Sequence, residues 1–255
     1  MSKSYELLLQ TLGAETIIEL LSSFLAPGKV DRIQQVIAKR LDQVWLVVEN
    51  LYDPLNGAAL VRTAEALGIL HVAFIQERAV KALPVGRGRR LSQKVTIGAE
   101  RWMDIVEFET FEDAMEVFSQ HGLRHYAAVA PPSDVGNDNI QLPQVPIELT
   151  KCQFTLPMAV WFGNERWGLS QKAVDVADVT MSIPLYGFSQ SLNLSVSVGI
   201  VLYQIVQVLR KEGYIGDLLP EKQRQWVAHC MLESVDYPEA LLRELYARHG
   251  RFWPL

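Results

Sequence analysis

The chain has 255 residues, 49% of them hydrophobic and 21% charged, with a formal net charge of −5. That is enough apolar material for a sizeable core and sits near the upper limit for one domain, so one main domain with appendages is expected. The acidic balance weighs against an overall basic, polyanion-binding surface, and the two cysteines, Cys152 and Cys230, have no Cys or His partners at ligand spacing, so they read as inert thiols with no metal.

From the N-terminus, residues 5–25 place Leu8, Leu12, Ile17, Leu20, Leu21 and Phe24 at near-helical spacing until Pro27 and Gly28 interrupt it, and a short helix follows over 30–40. Residues 1–42 carry five basic and five acidic side chains, a charge-neutral appendage. The apolar run 44–48 reads as a strand buried on both faces of a parallel sheet. Asp53 and Pro54 open a helix that Gly68 closes, with Asp as the cap and Pro at the first helical position.

Further strands are expected at 72–75, 105–108, 126–130, 158–162 and 179–183, alternating with helices at 111–121 and 170–176 and a long last helix over 193–211. This βαβ rhythm predicts an α/β fold, an open parallel sheet flanked by helices. Residues 131–157 hold five prolines and read as an exposed connection. Two amphipathic helices, 220–232 and 238–249, end the chain, followed by an apolar tail, RFWPL. The expected division is 1–42, 43–212 and 213–255.

No apolar run reaches the roughly 18 to 20 residues of a membrane span, and the N-terminus lacks a basic start, apolar centre and cleavage site. A cytoplasmic protein without membrane contact is the expectation. Residues 81–101 carry Lys81, Arg87, Arg89, Arg90, Lys94 and Arg101 against the single acid Glu100. This basic stretch is either an RNA contact or a solvated loop.

Three strand-to-helix junctions concentrate polar residues: NLYDPLNGAALVRTAEALG (50–68), FGNERWGLS (162–170) and IPLYGFSQSLNLSVSVGIVLYQ (183–204). In order and composition they resemble the signature motifs of the SPOUT superfamily of RNA methyltransferases. Within it, the resemblance is to the TrmH (SpoU) branch of ribose 2′-O-methyltransferases, nearest to the tRNA guanosine-18 enzymes. The resemblance implies S-adenosylmethionine as cofactor, an RNA substrate, a homodimer and a C-terminal trefoil knot that periodicity does not reveal.

It also implies site residues. Asn56 and Arg62 match the first motif, Glu165 the second, and Ser191 and Asn193 the third. A guanidinium is a poor general base because its pKa exceeds about 12. Arg62 is therefore expected to bind the phosphate beside the target ribose and stabilise the developing oxyanion, with that phosphate or a water taking the proton. Glu165 would orient Arg62 or Ser191. Read without the motifs, Arg62 is a surface Arg pairing Glu65, Glu165 a carboxylate favoured by a helix N-terminus, and Asn193 a helix cap.

Ala130, Gly163, Asn164, Ile183, Leu185 and Leu192 match the family's cofactor-binding positions. Arg87, Arg89, Arg90, Lys94 and Arg101 are the expected RNA contacts. Val196, Gly199, Ile200, Tyr203 and Val206 offer a small-and-apolar stripe for a second subunit, although burial within one subunit would look the same. The alternatives left open are a ribosomal RNA substrate and a noncatalytic protein that binds RNA or S-adenosylmethionine.

Overall fold

The computed structural model describes residues 3–77, 93–131, 141–250 and 253–254. The chain forms two compact units, one of residues 1–41 with 215–255 and one of residues 42–214.

The first unit is helical: α1 (Lys3–Leu12), α2 (Ala14–Phe24) and α3 (Pro27–Ile37) pack with α9 (Pro220–Leu232) and α10 (Pro238–Arg248). The single apolar pattern over 5–25 is two helices rather than one. Gly13, at φ 77°, lets the chain turn by 103° between them, a conformation that costs an L side chain more than glycine. The helices bury five of the six residues of that pattern, Leu8 and Leu12 on α1 and Ile17, Leu20 and Leu21 on α2, whereas Phe24 at the end of α2 is exposed. On α9 Trp226, Val227, Cys230 and Met231 are buried as their spacing predicts. Of the tail, Arg251, Phe252 and Leu255 lie outside the described residues, while Trp253 meets Tyr246 edge-on with ring centroids 5.5 Å apart.

The second unit holds a seven-stranded sheet in the order β3-β2-β1-β6-β4-β7-β5. Its strands are β1 (Leu41–Glu49), β2 (Ile69–Ile75), β3 (Asp104–Phe108), β4 (Arg124–Val129), β5 (Ile147–Glu148), β6 (Met158–Phe162) and β7 (Val179–Ser182), and β1 with β6, β2 with β3, β4 with β6 and β7, and β5 with β7 all pair in parallel. Helices α4 (Pro54–Ala66), α5 (Gln93–Thr96), α6 (Phe111–Gln120), α7 (Gln171–Asp175) and α8 (Leu194–Lys211) connect or follow them. Trp45 and Val47 of β1 join Trp161, Phe111, Phe118 and Val174 in one buried cluster under α6 and α7. Val44, Leu46 and Val48 point to the opposite face, as period-two alternation requires, and are equally buried.

Two expectations change here. Part of the Pro-rich stretch is built structure: β5 adds an edge strand, a 3₁₀ turn follows at Leu149–Lys151, and Leu149, Cys152 and Phe154 are buried. Proline content masked a strand only two residues long. Secondly, α8 has the length and hydropathy to cross a membrane, contrary to the expectation that no segment does. One face of it serves packing: Val198, Val201, Leu202, Ile205 and Leu209 are buried, and α8 packs against α4.

At the amino ends of the three strands β1, β2 and β3, His71 lies between two carboxylates. Its Nε2 is 2.7 Å from Asp42 and its Nδ1 3.0 Å from Asp104. The ring stacks on Trp45 at 4.3 Å with an 8° interplanar angle. Burial alone would lower its pKa, but the hydrogen bonds and charges of both carboxylates outweigh that and hold it above the ordinary value. A raised folded-state pKa stabilises fully below the unfolded pKa and is lost as pH climbs through the folded one. His71→Leu should therefore destabilise by about 3 kcal/mol near pH 6, since it strips two carboxylates of a buried partner. The gap from the wild type should narrow towards pH 9 in urea unfolding; a gap independent of pH would contradict the charged pairing.

Candidate active site

Three turns meet at the carboxyl ends of β1, β4, β6 and β7. Sheet order makes them neighbours, because β1 pairs with β6, β6 with β4, and β4 with β7. Such carboxyl ends are where parallel α/β sheets present ligands.

The first turn leaves β1 through Asn50, whose φ of 50° reverses the chain. Asp53 caps α4 by accepting from the Leu55 amide at 2.9 Å, and Pro54 follows at the first helical position, as the sequence predicts. Asn56 thus sits in the first turn of α4 and Arg62 farther along it.

The second turn leaves β6 at Gly163. Backbone hydrogen bonds in both directions between Asn164 and Gly168, 2.9 and 2.8 Å, close it into a loop. A Cβ on Gly163 would stand 1.9 Å from the Gly168 carbonyl carbon, so only glycine permits this closure. Asn164 is buried; its Nδ2 donates to the Asn50 carbonyl and its Oδ1 accepts from the Arg166 amide at 2.7 Å. Just below, the buried Glu49 accepts from the Ser170 amide at 2.7 Å.

Glu165 projects from this loop and joins the motifs. Its Oε1 accepts from Asn56 Nδ2 at 2.8 Å, and its carboxylate faces the amides of Tyr52 at 3.2 Å and Asp53 at 3.4 Å. Asn56 Oδ1 in turn accepts from Asn193 Nδ2 at 3.2 Å. Asn193 also caps α8, accepting from the Ser195 amide at 2.9 Å and its hydroxyl at 2.7 Å. Its site and cap readings are therefore compatible. The partners of Glu165 are Asn56 and backbone amides, rather than Arg62 or Ser191.

A cavity of about 210 Å³ opens beside this network. Its lining includes all six residues expected to hold a cofactor, Ala130, Gly163, Asn164, Ile183, Leu185 and Leu192, together with Glu165 and Ser191. Apolar walls, three strand ends and a side-chain-free glycine turn fit an adenosine-like group.

Arg62 lies elsewhere. It is exposed and, among the described residues, makes no ion pair with Glu65 or any other acid. It borders a second, larger cavity of about 770 Å³ with Thr63, Gly199, Ile200 and Tyr203. Leu149 and Ile183 line both cavities, so they adjoin. Of the expected catalytic five, Glu165 and Ser191 line the smaller cavity, Arg62 borders the larger one, and Asn56 and Asn193 join Glu165 through hydrogen bonds. Val196, Ile200 and Tyr203 of the α8 stripe are exposed, whereas Val206 is buried.

Of the expected RNA contacts, Arg87, Arg89 and Arg90 lie outside the described residues, as does the side chain of Lys94; Arg101 is exposed in a 3₁₀ turn, 5.4 Å from the Trp102 ring. Among the described residues no group of three His, Cys, Asp or Glu is placed to hold a metal. His125 Nδ1 is instead 3.0 Å from Trp161 Nε1, and burial lowers its pKa, with Asp178 opposing. Cys152 is buried and its thiol pKa is raised.

The SpoU rRNA Methylase family model matches residues 43–203, spanning all three turns. The chain belongs to the SpoU rRNA methylase family. As a member it is an RNA methyltransferase that uses S-adenosylmethionine, the activity and cofactor the motifs implied. Among its relatives, the tRNA (guanosine(18)-2′-O)-methyltransferase of Borreliella burgdorferi is 30% identical over 207 residues, covering 81% of this chain and 85% of that protein. The enzyme of the same name from Escherichia coli K12 is 26% identical over 231 residues, covering 89% and 90%. In fold, the A. aeolicus TrmH/SpoU tRNA modifying enzyme superposes with a TM-score of 0.67 at 24% identity, covering 82% of this chain and 98% of that one.

The Asn56–Glu165 contact makes a specific prediction. Asn56→Asp would set two carboxylates within hydrogen-bond distance, and like charges that close cannot both ionise cheaply. Its thermal midpoint should fall below that of Asn56→Ala at pH 8, and the difference should shrink towards pH 5 as the pair gains a proton. Calorimetry at the two pH values checks this.

Proposed function

We propose that the protein methylates the 2′-hydroxyl of guanosine 18 in the D-loop of tRNA, as a cytoplasmic homodimer. The observation that carries this reading is the Glu165–Asn56–Asn193 network beside an adenosine-sized cavity, in a chain whose relatives bear that activity's name.

Bound S-adenosylmethionine supplies an electrophilic methyl group. Ile183, Leu185 and Leu192 would give it apolar walls, and the backbone of the 163–165 turn and Ala130 would hold it in place. Such alignment can lower a barrier by about 7 to 11 kcal/mol. Arg62 holds the phosphate beside the target ribose and stabilises the developing oxyanion, while that phosphate or a water takes the proton. Glu165 and Asn193 hold Asn56 and, with it, the start of the helix that carries Arg62. Ser191 faces the cavity and helps to position the ribose.

Arg62 and Ser191 border different cavities of one chain, which supports assembly of the site across two subunits. The exposed Val196, Ile200 and Tyr203 on α8, beside the 770 Å³ groove, supply an apolar surface for the second copy. The methyltransferase domain occupies 43–212, and the helical segments 1–42 and 213–255 contribute to RNA choice together with Arg87, Arg89, Arg90, Lys94 and Arg101. A trefoil knot, in which the segment after β7 threads a loop, accords with a cavity built from the ends of β4, β6 and β7. A ribosomal RNA ribose is the second reading, favoured by the matched family's description.

The test is transfer of radiolabelled methyl to unmodified total tRNA and to ribosomal RNA, followed by nucleoside mapping. Label is expected in 2′-O-methylguanosine of the D-loop; label confined to ribosomal RNA would move the substrate, and cofactor binding without transfer would make the protein noncatalytic. Arg62→Ala should lower kcat at least about a hundredfold, as loss of an oxyanion donor does, while leaving cofactor affinity nearly unchanged.

A further inference from the structure

Tyr52 and Arg166, one from each of the first two turns, meet at the mouth of the site, and no motif assigns them a role. The Arg166 guanidinium carbon lies 4.8 Å from the centre of the Tyr52 ring. Tyr52 is 45% exposed and Arg166 is exposed as well. We propose that these two side chains form a stacking platform for a nucleobase of the RNA, flanking the nucleotide whose ribose is methylated. The proposal rests on the reading of the site as an RNA methyltransferase centre and assigns a residue pair to holding the substrate there.

Three observations carry it. First, both residues are fixed through their backbones by the catalytic network: the Tyr52 amide donates to Glu165 Oε2 at 3.2 Å, and the Arg166 amide donates to the buried Asn164 at 2.7 Å. The pair therefore keeps its place relative to Asn56 and Glu165 whatever its side chains touch. Secondly, among the described residues Arg166 has no carboxylate partner, although the chain is acidic overall. An exposed cation–π contact gains less than the rotamer freedom an ordered arginine loses, so stability is a poor reason for the arrangement. Thirdly, Arg166 also lines the cavity assigned to the cofactor, which puts the platform at the edge of that cavity.

The chemistry matches single-stranded RNA. Splayed-out bases are held by aromatic rings and guanidinium planes, which tolerate any sequence because every base has a π-face. A guanidinium in the same stack also attracts the adjoining phosphate.

The test uses the full-length protein with S-adenosylhomocysteine and a short single-stranded RNA carrying one central 2-aminopurine, whose fluorescence is quenched by stacking. The wild type should quench it, Tyr52→Phe should keep the quench, and Tyr52→Leu and Arg166→Ala should lose it and weaken RNA binding about tenfold. Tyr52→Leu should leave the thermal midpoint and S-adenosylhomocysteine affinity unchanged, because its side chain does not line the cofactor cavity, and should raise KM for RNA with little change in kcat. Equal quenching by wild type and Tyr52→Leu, or RNA binding by the wild type without quenching, would overturn the platform. Quenching without methyl transfer by the wild type would keep the platform and remove the enzymatic reading instead.

Discussion

The carboxylate of Glu165 is the constraint on which the site depends. It gathers Asn56 and the amides of Tyr52 and Asp53 onto one side chain, and so fixes the turn after β1 to the loop after β6. Charge-assisted hydrogen bonds to a carboxylate are stronger than neutral ones, and here three donors converge on it. Asn193 extends the tie to the start of α8 through Asn56. A single chain of contacts thus ties the turn after β1 to two segments that each lie more than a hundred residues further along the sequence.

The sheet makes that convergence possible. Pairing β6 with β1 on one side and β4 on the other brings Val48 and Phe162 side by side, and β7 completes the floor. The loop after β6 is stiffened from several directions: Gly163 lets it close on itself, Asn164 ties it to the Asn50 carbonyl, and Glu49 holds its exit at Ser170. A rigid loop lets one exposed carboxylate act as an organiser, because its own position costs little further ordering. At the far end of the strands, His71 between Asp42 and Asp104 ties β1, β2 and β3 together, away from the chemistry.

Much of this was legible in the sequence, and the reasons for the misses are physical. Strands such as Met158–Phe162 and the capped helix starting at Asp53–Pro54 declare themselves by local apolar runs and cap residues. The break at Gly13 escaped because apolar spacing stays in phase across a single glycine. The edge strand β5 is too short for any periodicity to register. The residues lining the smaller cavity were recognised through motifs, yet the separation of Arg62 from them depends on which side of Leu149 and Ile183 its helix runs, which no local pattern encodes. The His71 pairing and the Tyr52–Arg166 contact join residues brought together only by strand order, so composition offered no sign of either.

The most direct measurement of the central tie is a double-mutant cycle on methyl-transfer kcat/KM with Asn56→Ala, Glu165→Gln and the double variant. If Glu165 works by holding Asn56, the single losses overlap and the coupling energy should exceed about 1 kcal/mol, within the range for directly contacting residues. Strictly additive losses would contradict the account and leave Glu165 and Asn56 as independent contributors.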